Sequence, residues 1–221
     1  MKISYRLVII VAVFVTCLIA ANVIAVKVID LGPAQLPAAI FVFPLSYIFG
    51  DVLTEVYGYR VARKVIWLGF ACNLVFVFFA WVGQVLPGAG FWDGQGAYER
   101  ILGYTPRLLA ASFCGYLAGE FANSFVLSKM KVLTQGRWLW SRTIGSTVVG
   151  QGLDTAIFIT LAFIGTGADV SSMIGWHWGA KVLIEAVCTP ATYAIVNWLK
   201  QKEGVDTYDY RTRYNPFAVS G

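Results

Sequence analysis

The chain has 221 residues, 58% of them hydrophobic and 13% charged. Soluble domains carry about one quarter charged residues. This deficit, with a mean hydropathy of +0.67, argues against a soluble protein and predicts a polytopic, all-α membrane protein. The formal charge of +5 would suit nucleic acid, but the basic residues gather in loops rather than in a patch, which argues against that partner.

About 20 apolar residues cross a bilayer core. Six stretches reach that length: 7–28, 38–57, 64–86, 107–128, 143–164 and 174–198. The first follows Lys2 and Arg6 and is too long for the apolar core of a signal peptide, so it is read as a spanning helix. Helices rather than strands follow from length, because barrel strands need only about 10 alternating residues.

The second stretch contains "FPLSYIFGDVLTEVYGY", residues 43–59, with Pro44 inside the segment and Asp51 and Glu55 on one helical face. Arg60, Arg63 and Lys64 follow it. Beyond the third stretch, the loop 86–106 is rich in Gly, Pro and aromatics. Its Trp92, Tyr98 and Tyr104 suit a membrane interface, and 95–102 is expected to form a short surface helix. The fourth stretch carries Gly115 and Gly119 in a GxxxG spacing, then Glu120 and Asn123. Such spacing allows close helix approach, either within the chain or in a homodimer. Ala21 and Ala25, and Gly175 and Gly179, repeat the pattern. The fifth stretch carries Gln151 and Asp154. The sixth carries Lys181, Glu185 and Pro190. Residues 200–221 form a polar tail, so the organisation is a six-helix transmembrane domain over 1–199 and a cytoplasmic tail.

Thirteen of the 17 Lys and Arg residues fall on the side of both termini: Lys2, Arg6, Arg60, Arg63, Lys64, Lys129, Lys131, Arg137, Arg142, Lys200, Lys202, Arg211 and Arg213. The positive-inside rule then places both termini in the cytoplasm. The net charge is mostly topology.

A charge at the bilayer centre costs about 2.5–3.5 kcal/mol on insertion scales. Asp51, Glu55, Glu120, Asp154, Lys181 and Glu185 must therefore face one another, a cavity or water. Helical spacing gives each of four segments one polar stripe, which predicts a polar chamber between the second, fourth, fifth and sixth. Asp154, Glu185 and Glu120 fall near mid-membrane; Asp51 and Glu55 lie toward the cytoplasmic end. Two readings stand for the last pair: a shared proton forming a gate or coupling site, or simple interfacial charge. Lys181 and Glu185, four residues apart, form either a structural strut or part of a binding site. Pro44 and Pro190 each free a backbone carbonyl, as at broken transporter helices, or only kink.

Cys17, Cys72, Cys114 and Cys188 all lie in apolar runs, without CxxC spacing, and read as buried free thiols. There is no phosphate-binding GxxxxGK[ST]. The single histidine, His177, cannot build an ordinary zinc site, and no GxSxG is present. No catalytic residue, metal or cofactor is therefore assigned. An aspartate dyad of Asp51 and Asp154 is the distant enzyme alternative.

"FPLSYIFGDVLTEVYGYRVARKV", "GSTVVGQGLDTAIFITLAF" and "KVLIEAVCTPATYAIVNWLK" resemble the vitamin uptake transporter family, also called queuosine precursor transporters. The matching positions are Phe43, Pro44, Asp51, Glu55, Tyr57 and Gly58, then Gly150, Gln151, Asp154 and Thr155, then Lys181. The resemblance implies a bacterial inner-membrane importer of 7-deazapurines such as 7-cyano-7-deazaguanine and its aminomethyl relative. A carboxylate accepts from both donors of a guanine-like edge, a task for Asp154 or Glu185. Gln151, Asn123 or Lys181 can donate to the base carbonyl. Phe43, Tyr47, Phe158 and Trp178 can face the ring. Asp51, Glu55 and Glu120 are the expected gating or proton-coupling residues. The transport alternative is a substrate-binding membrane subunit of an energy-coupling-factor importer.

Overall fold

The computed structural model describes residues 4–30, 35–103, 106–165, 167 and 169–218, with the backbone alone described at 35, 36, 43, 44 and 106. The fold is helical: α1 (Tyr5–Ile24), α2 (Phe43–Val52), α3 (Tyr59–Val85), α4 (Gln95–Leu102), α5 (Pro106–Leu133), α6 (Leu139–Phe163) and α7 (Val170–Glu203). Four of these, α1, α3, α6 and α7, are long and apolar enough to cross a membrane. The expected surface helix over 95–102 is α4, tied back to α3 where the Tyr98 hydroxyl donates to the Ala80 carbonyl at 3.0 Å. Tyr104 lies outside the described residues.

The ends of the first two segments differ from expectation. Helix α1 stops at Ile24, and Val28–Asp30 (β1) pairs antiparallel with Gln35–Pro37 (β2), in register Val28 to Pro37. The second segment is one helical path in three forms. A 3₁₀ turn spans Ala38–Phe41, α2 follows, and a π-helical turn covers Leu53–Tyr57. Pro44 therefore sits in the first turn of α2, where a missing N–H costs nothing. The irregular backbone is at the two ends instead, and π turns recur at functional sites. Gly58 ends the path with φ 84°, a left-handed conformation that glycine adopts without a Cβ penalty. Helix α7 runs through Pro190 without stopping.

Helices α5 and α6 pack most closely. A Cβ added to Gly119 would stand 2.6 Å from the Asp154 Cβ and 2.9 Å from the Gly150 carbonyl oxygen. One added to Gly150 would stand 2.6 Å from the Asn123 Cβ. The Gly115–Gly119 motif is thus used inside the chain, against α6. Gly175 and Gly179 meet nothing within 4 Å.

The apolar core lies at the end carrying both termini, where Leu7, Ile10, Phe14, Ile48, Val52, Val56, Val196 and Leu199 pack together. Arg6 closes that end by pairing with Glu203 at 3.0 Å. Large apolar side chains such as Phe78, Phe79, Leu183 and Val187 face outward, as in a protein solvated by lipid. The cysteines are free, but Cys114 is exposed and the others half-buried, so none is the buried thiol expected.

Candidate functional site

A cavity of about 480 Å³ opens between α1, α2, α3, α5, α6 and α7. Its polar wall holds Ser46, Tyr47, Asn73, Tyr116, Glu120, Gln151, Asp154, Thr155, His177 and Lys181. Its apolar wall includes Leu18, Ile40, Phe113, Phe158, Ile159 and Phe163. It reaches β1, β2 and the start of α7, and so extends toward the end opposite the termini.

Two contacts organise the polar wall. Lys181 Nζ donates to Asp154 Oδ2 at 2.7 Å and to Thr155 Oγ1 at 3.3 Å. The lysine expected beside Glu185 along its own helix is therefore turned across to α6. The Tyr47 hydroxyl donates to Gln151 Oε1 at 2.5 Å. With that oxygen engaged, the amide NH₂ of Gln151 is the donor available to a ligand. Glu120 is 5% exposed, and its Oε2 would stand 3.4 Å from a Cβ added at Gly50. Gly50 thus makes room for a carboxylate against α2.

Of the expected binding residues, Asp154, Gln151, Lys181, Tyr47 and Phe158 line this cavity, and Glu120 joins them. Asn123 and Glu185 do not. Asn123 Nδ2 donates instead to Asp51 Oδ1 at 2.8 Å. Glu185 is wholly buried, and neither of its oxygens has a hydrogen-bond partner among the described residues. The Phe43 side chain lies outside the described residues. Trp178 stands apart from the cavity lining, its Nε1 donating to the Val148 carbonyl at 3.0 Å.

Glu55 has a different setting from Asp51. It is wholly buried and accepts from Arg142 Nε at 2.8 Å and Nη2 at 2.9 Å. Lys200 Nζ adds a third bond at 2.7 Å, and Lys131 Nζ lies 3.6 Å away. The cations nearest the carboxylate are these, not Arg60, Arg63 or Lys64. Lys131 and Lys200 also hold Asp206, at 2.5 Å and 2.9 Å. Burial pushes the Asp206 carboxyl up, but the hydrogen bonds and charges of the two lysines outweigh it and leave it below its ordinary range.

The tail after α7 is bound across this cluster. Thr207 N–H donates to the Val56 carbonyl at 3.1 Å, inside the π turn. Asp209 Oδ2 accepts from the Tyr59 N–H at 2.9 Å and from Ser128 Oγ at 2.7 Å. It supplies from a distance the cap that Gly58 cannot give α3. Arg63 donates to the Asn215 carbonyl at 2.8 Å, and Trp67 Nε1 to the Pro216 carbonyl at 2.9 Å. The end bearing the termini is thus sealed by an ion cluster and a strap.

Residues 37–195 match the family profile described as "Putative vitamin uptake transporter". The chain belongs to that family. Among curated relatives of this vitamin uptake transporter family member, a Bacillus subtilis (strain 168) protein named "Probable queuosine precursor transporter" is 32% identical over 148 residues, 66% of this chain and 65% of the relative. The Escherichia coli (strain K12) "Queuosine precursor transporter" is 26% identical over 72% of this chain and 67% of its own length. A Haemophilus influenzae protein named "Probable queuosine precursor transporter" is 24% identical over 62% of this chain and 54% of its own length. The match thus spans slightly under two thirds of the Bacillus subtilis relative. No solved structure matches. Family and outward-facing apolar helices together make this a multi-pass membrane protein.

Sequence reasoning passed over several cavity residues of this transporter family chain. Asn22 and Asn73 both line it, and each is an amide inside an apolar run, a costly placement that attention to formal charge alone overlooks. His177, set aside as a poor metal ligand, is a cavity residue as well. Thr155 was visible only as a motif neighbour.

Proposed function

We propose that this chain is a six-helix secondary transporter that imports 7-deazapurine precursors of queuosine across the bacterial inner membrane. The observation that carries the reading is the cavity wall itself. Asp154 and Glu120 supply acceptors and Gln151 and Lys181 supply donors in one lining, with Lys181 bonded to Asp154 at 2.7 Å and aromatic side chains in the same lining. A guanine-like edge offers two donors to a carboxylate and a carbonyl to a donor. Phe158 and Phe113 supply surfaces for a flat ring, and a volume near 480 Å³ falls in the range of small-molecule sites, about 300–1,000 Å³. The names of the relatives point to the same cargo.

In this reading α1, the α2 path, α3, α5, α6 and α7 each span the bilayer, with both termini cytoplasmic and the cavity reached from outside. The Glu55 cluster and the tail strap form the inner gate. Asp154 and Glu120 hold the base, Gln151 and Lys181 donate to its carbonyl, and Tyr47 fixes the Gln151 amide. The chain needs no catalytic group or cofactor.

The test is uptake of labelled 7-cyano-7-deazaguanine into proteoliposomes containing this chain alone. Saturable uptake, competed by unlabelled precursor and lost in Asp154→Asn, is expected. Uptake that requires added ATPase subunits would establish an energy-coupling-factor importer instead. Binding of no 7-deazapurine would discard the substrate assignment.

A further inference from the structure

One helical turn beyond the cavity, toward the termini, lies a second polar layer. Asp51 follows the cavity residue Tyr47 by four positions on α2, Asn123 follows Glu120 by three on α5, and Glu185 follows Lys181 by four on α7. Such spacings keep side chains on one helix face. Asp51 and Glu185 are 0% exposed and Asn123 3%.

The hydrogen bonds of this layer are incomplete in one sense only. Asn123 Nδ2 reaches Asp51 Oδ1 at 2.8 Å. Asp51 Oδ2, Asn123 Oδ1 and both oxygens of Glu185 have no partner among the described residues. All four atoms are acceptors, and of the three side chains only the Asn123 amide donates. The titratable groups whose charges act on Asp51 are Glu185, Glu120 and Glu55, all acids; Cys188 lies beside Glu185. The nearby cations are engaged elsewhere: Lys181 holds Asp154, while Arg142 and Lys200 hold Glu55. The cavity lining does not include these three residues, and no metal-holding cluster occurs among the described residues. A proton supplies a donor and needs no void.

We propose that Asp51 and Glu185 share one proton, and that this proton is the ion coupled to transport; its coupling role rests on the transport reading above. With the proton in place, one carboxyl is neutral and donates, and the layer carries a single negative charge. Without it, two buried carboxylates repel each other in a layer with no cation among the described residues, which is tolerable only once water enters. Proton occupancy therefore decides whether the layer between the cavity and the inner gate stays closed. Glu120, standing between the pair and the cavity, is the group through which the proton is reached. Glu55, held by its cations, is not the proton partner of Asp51.

Infrared difference spectroscopy on purified full-length protein, with a pH jump and no substrate, tests the shared proton. A protonated-carboxyl band shielded from deuterium exchange is expected at neutral pH. It should vanish in Asp51→Asn and equally in Glu185→Gln. Asp51→Glu, which keeps the carboxyl, should shift the band and not remove it, and serves where a neutral variant fails to fold. Absence of the band in the wild type, or its survival in either neutral variant, overturns the site. Uptake of labelled 7-cyano-7-deazaguanine against imposed pH gradients then tests coupling. An acidic exterior should accelerate the wild type, and Asp51→Asn should lose that acceleration while binding precursor normally. Wild-type uptake indifferent to the gradient overturns the coupling role. Failure of any precursor uptake instead defeats the transport reading, and the substrate-free spectrum still decides the proton.

Discussion

Glu55→Gln removes one negative charge from the inner ion cluster with little change in volume. Arg142 is 1% exposed and sends two hydrogen bonds to Glu55, at 2.8 Å and 2.9 Å. Its other described bond is to the Arg137 carbonyl at 2.6 Å. Lys131 and Lys200 keep Asp206 after the change, so the guanidinium bears most of the loss. Breaking a buried pair from one side costs about 3–5 kcal/mol, a large part of a total stability of about 5–15 kcal/mol. Removing both partners, Glu55→Gln with Arg142→Met, keeps the cluster's net charge as it was, with Lys131 and Lys200 still on Asp206, and should recover most of it. The assay is equilibrium unfolding of purified protein in mixed detergent–SDS micelles, followed by tryptophan fluorescence. A single-variant loss below about 1 kcal/mol, the size of a hydrated surface pair, would refute a dry cluster. So would a double variant no more stable than Glu55→Gln. Precursor affinity in the folded fraction should be unchanged, because Glu55 lies outside the cavity lining; a lost affinity would move Glu55 into the site.

Lys181→Met should destabilise the chain by leaving Asp154 unpaired, and Asp154→Asn, not Glu185→Gln, should restore stability in the same detergent titration. Asp154→Asn alone should weaken precursor binding about ten- to hundredfold, the worth of a charged hydrogen bond of about 1.5–3 kcal/mol, measured by equilibrium dialysis. Gly119→Val places a Cβ 2.6 Å from that of Asp154; overpacking of about 1–3 kcal/mol or more should lower thermal stability and expression, with Gly175→Val as the neutral control. Asp206 is held below its ordinary range, so its contribution is full above the unfolded carboxylate range and declines as pH falls through it. Its side chain is 41% exposed, so the effect is confined to the strap: pepsin should cut the tail increasingly below about pH 4, while thermolysin at neutral pH should spare it.

Helix positions were legible because lipid imposes a length and a composition on each segment, and loop chemistry marks the ends. The short α4 was legible from its polar, turn-bounded setting. Three features were not. The β1–β2 hairpin lies between the first two segments, sharing only Val28 with the first, and neither length nor composition marks it. Pro44 reads as a mid-helix break in any window that begins at residue 38, because nothing local announces the 3₁₀ turn before it. Pairing between helices was the largest gap. Spacing alone offers Lys181 a partner four residues away on its own helix, whereas rotation of α7 against α6 presents it to Asp154. Likewise Arg142 and Lys200 read as loop charges that set topology, although the fold buries the first and brings both to Glu55. Which side chains share a face follows from a period; which faces meet depends on helix rotation, and one chain's sequence does not display it.

The carboxylates fall into three environments that run in order along the bundle. Nearest the open end, Asp154 is neutralised by Lys181 and Glu120 lines the cavity. In the middle, Asp51 and Glu185 have no cation among the described residues. At the closed end, Glu55 has three cations within 3.6 Å. A ligand moving from the cavity to the terminal end must pass the middle layer and then part the cluster. Under the transport reading proposed above, the second step separates charges tied to the tail through Asp206, so parting the cluster would also loosen the strap. The middle layer is the cheaper element to switch, because its single described hydrogen bond, from Asn123 to Asp51, leaves four acceptors unmet. In that reading, control of passage would fall on the layer that is least satisfied, and the well-paired cluster would set the barrier behind it. Asn123→Ala separates these roles. Losing the one donor to Asp51 should raise leak through the middle layer, read as substrate-independent proton entry into liposomes, and cost about 1.5–3 kcal/mol of unfolding free energy, less than Glu55→Gln. A variant that unfolds as readily as Glu55→Gln, with no added leak, would show that the middle layer is a structural joint and not a switch.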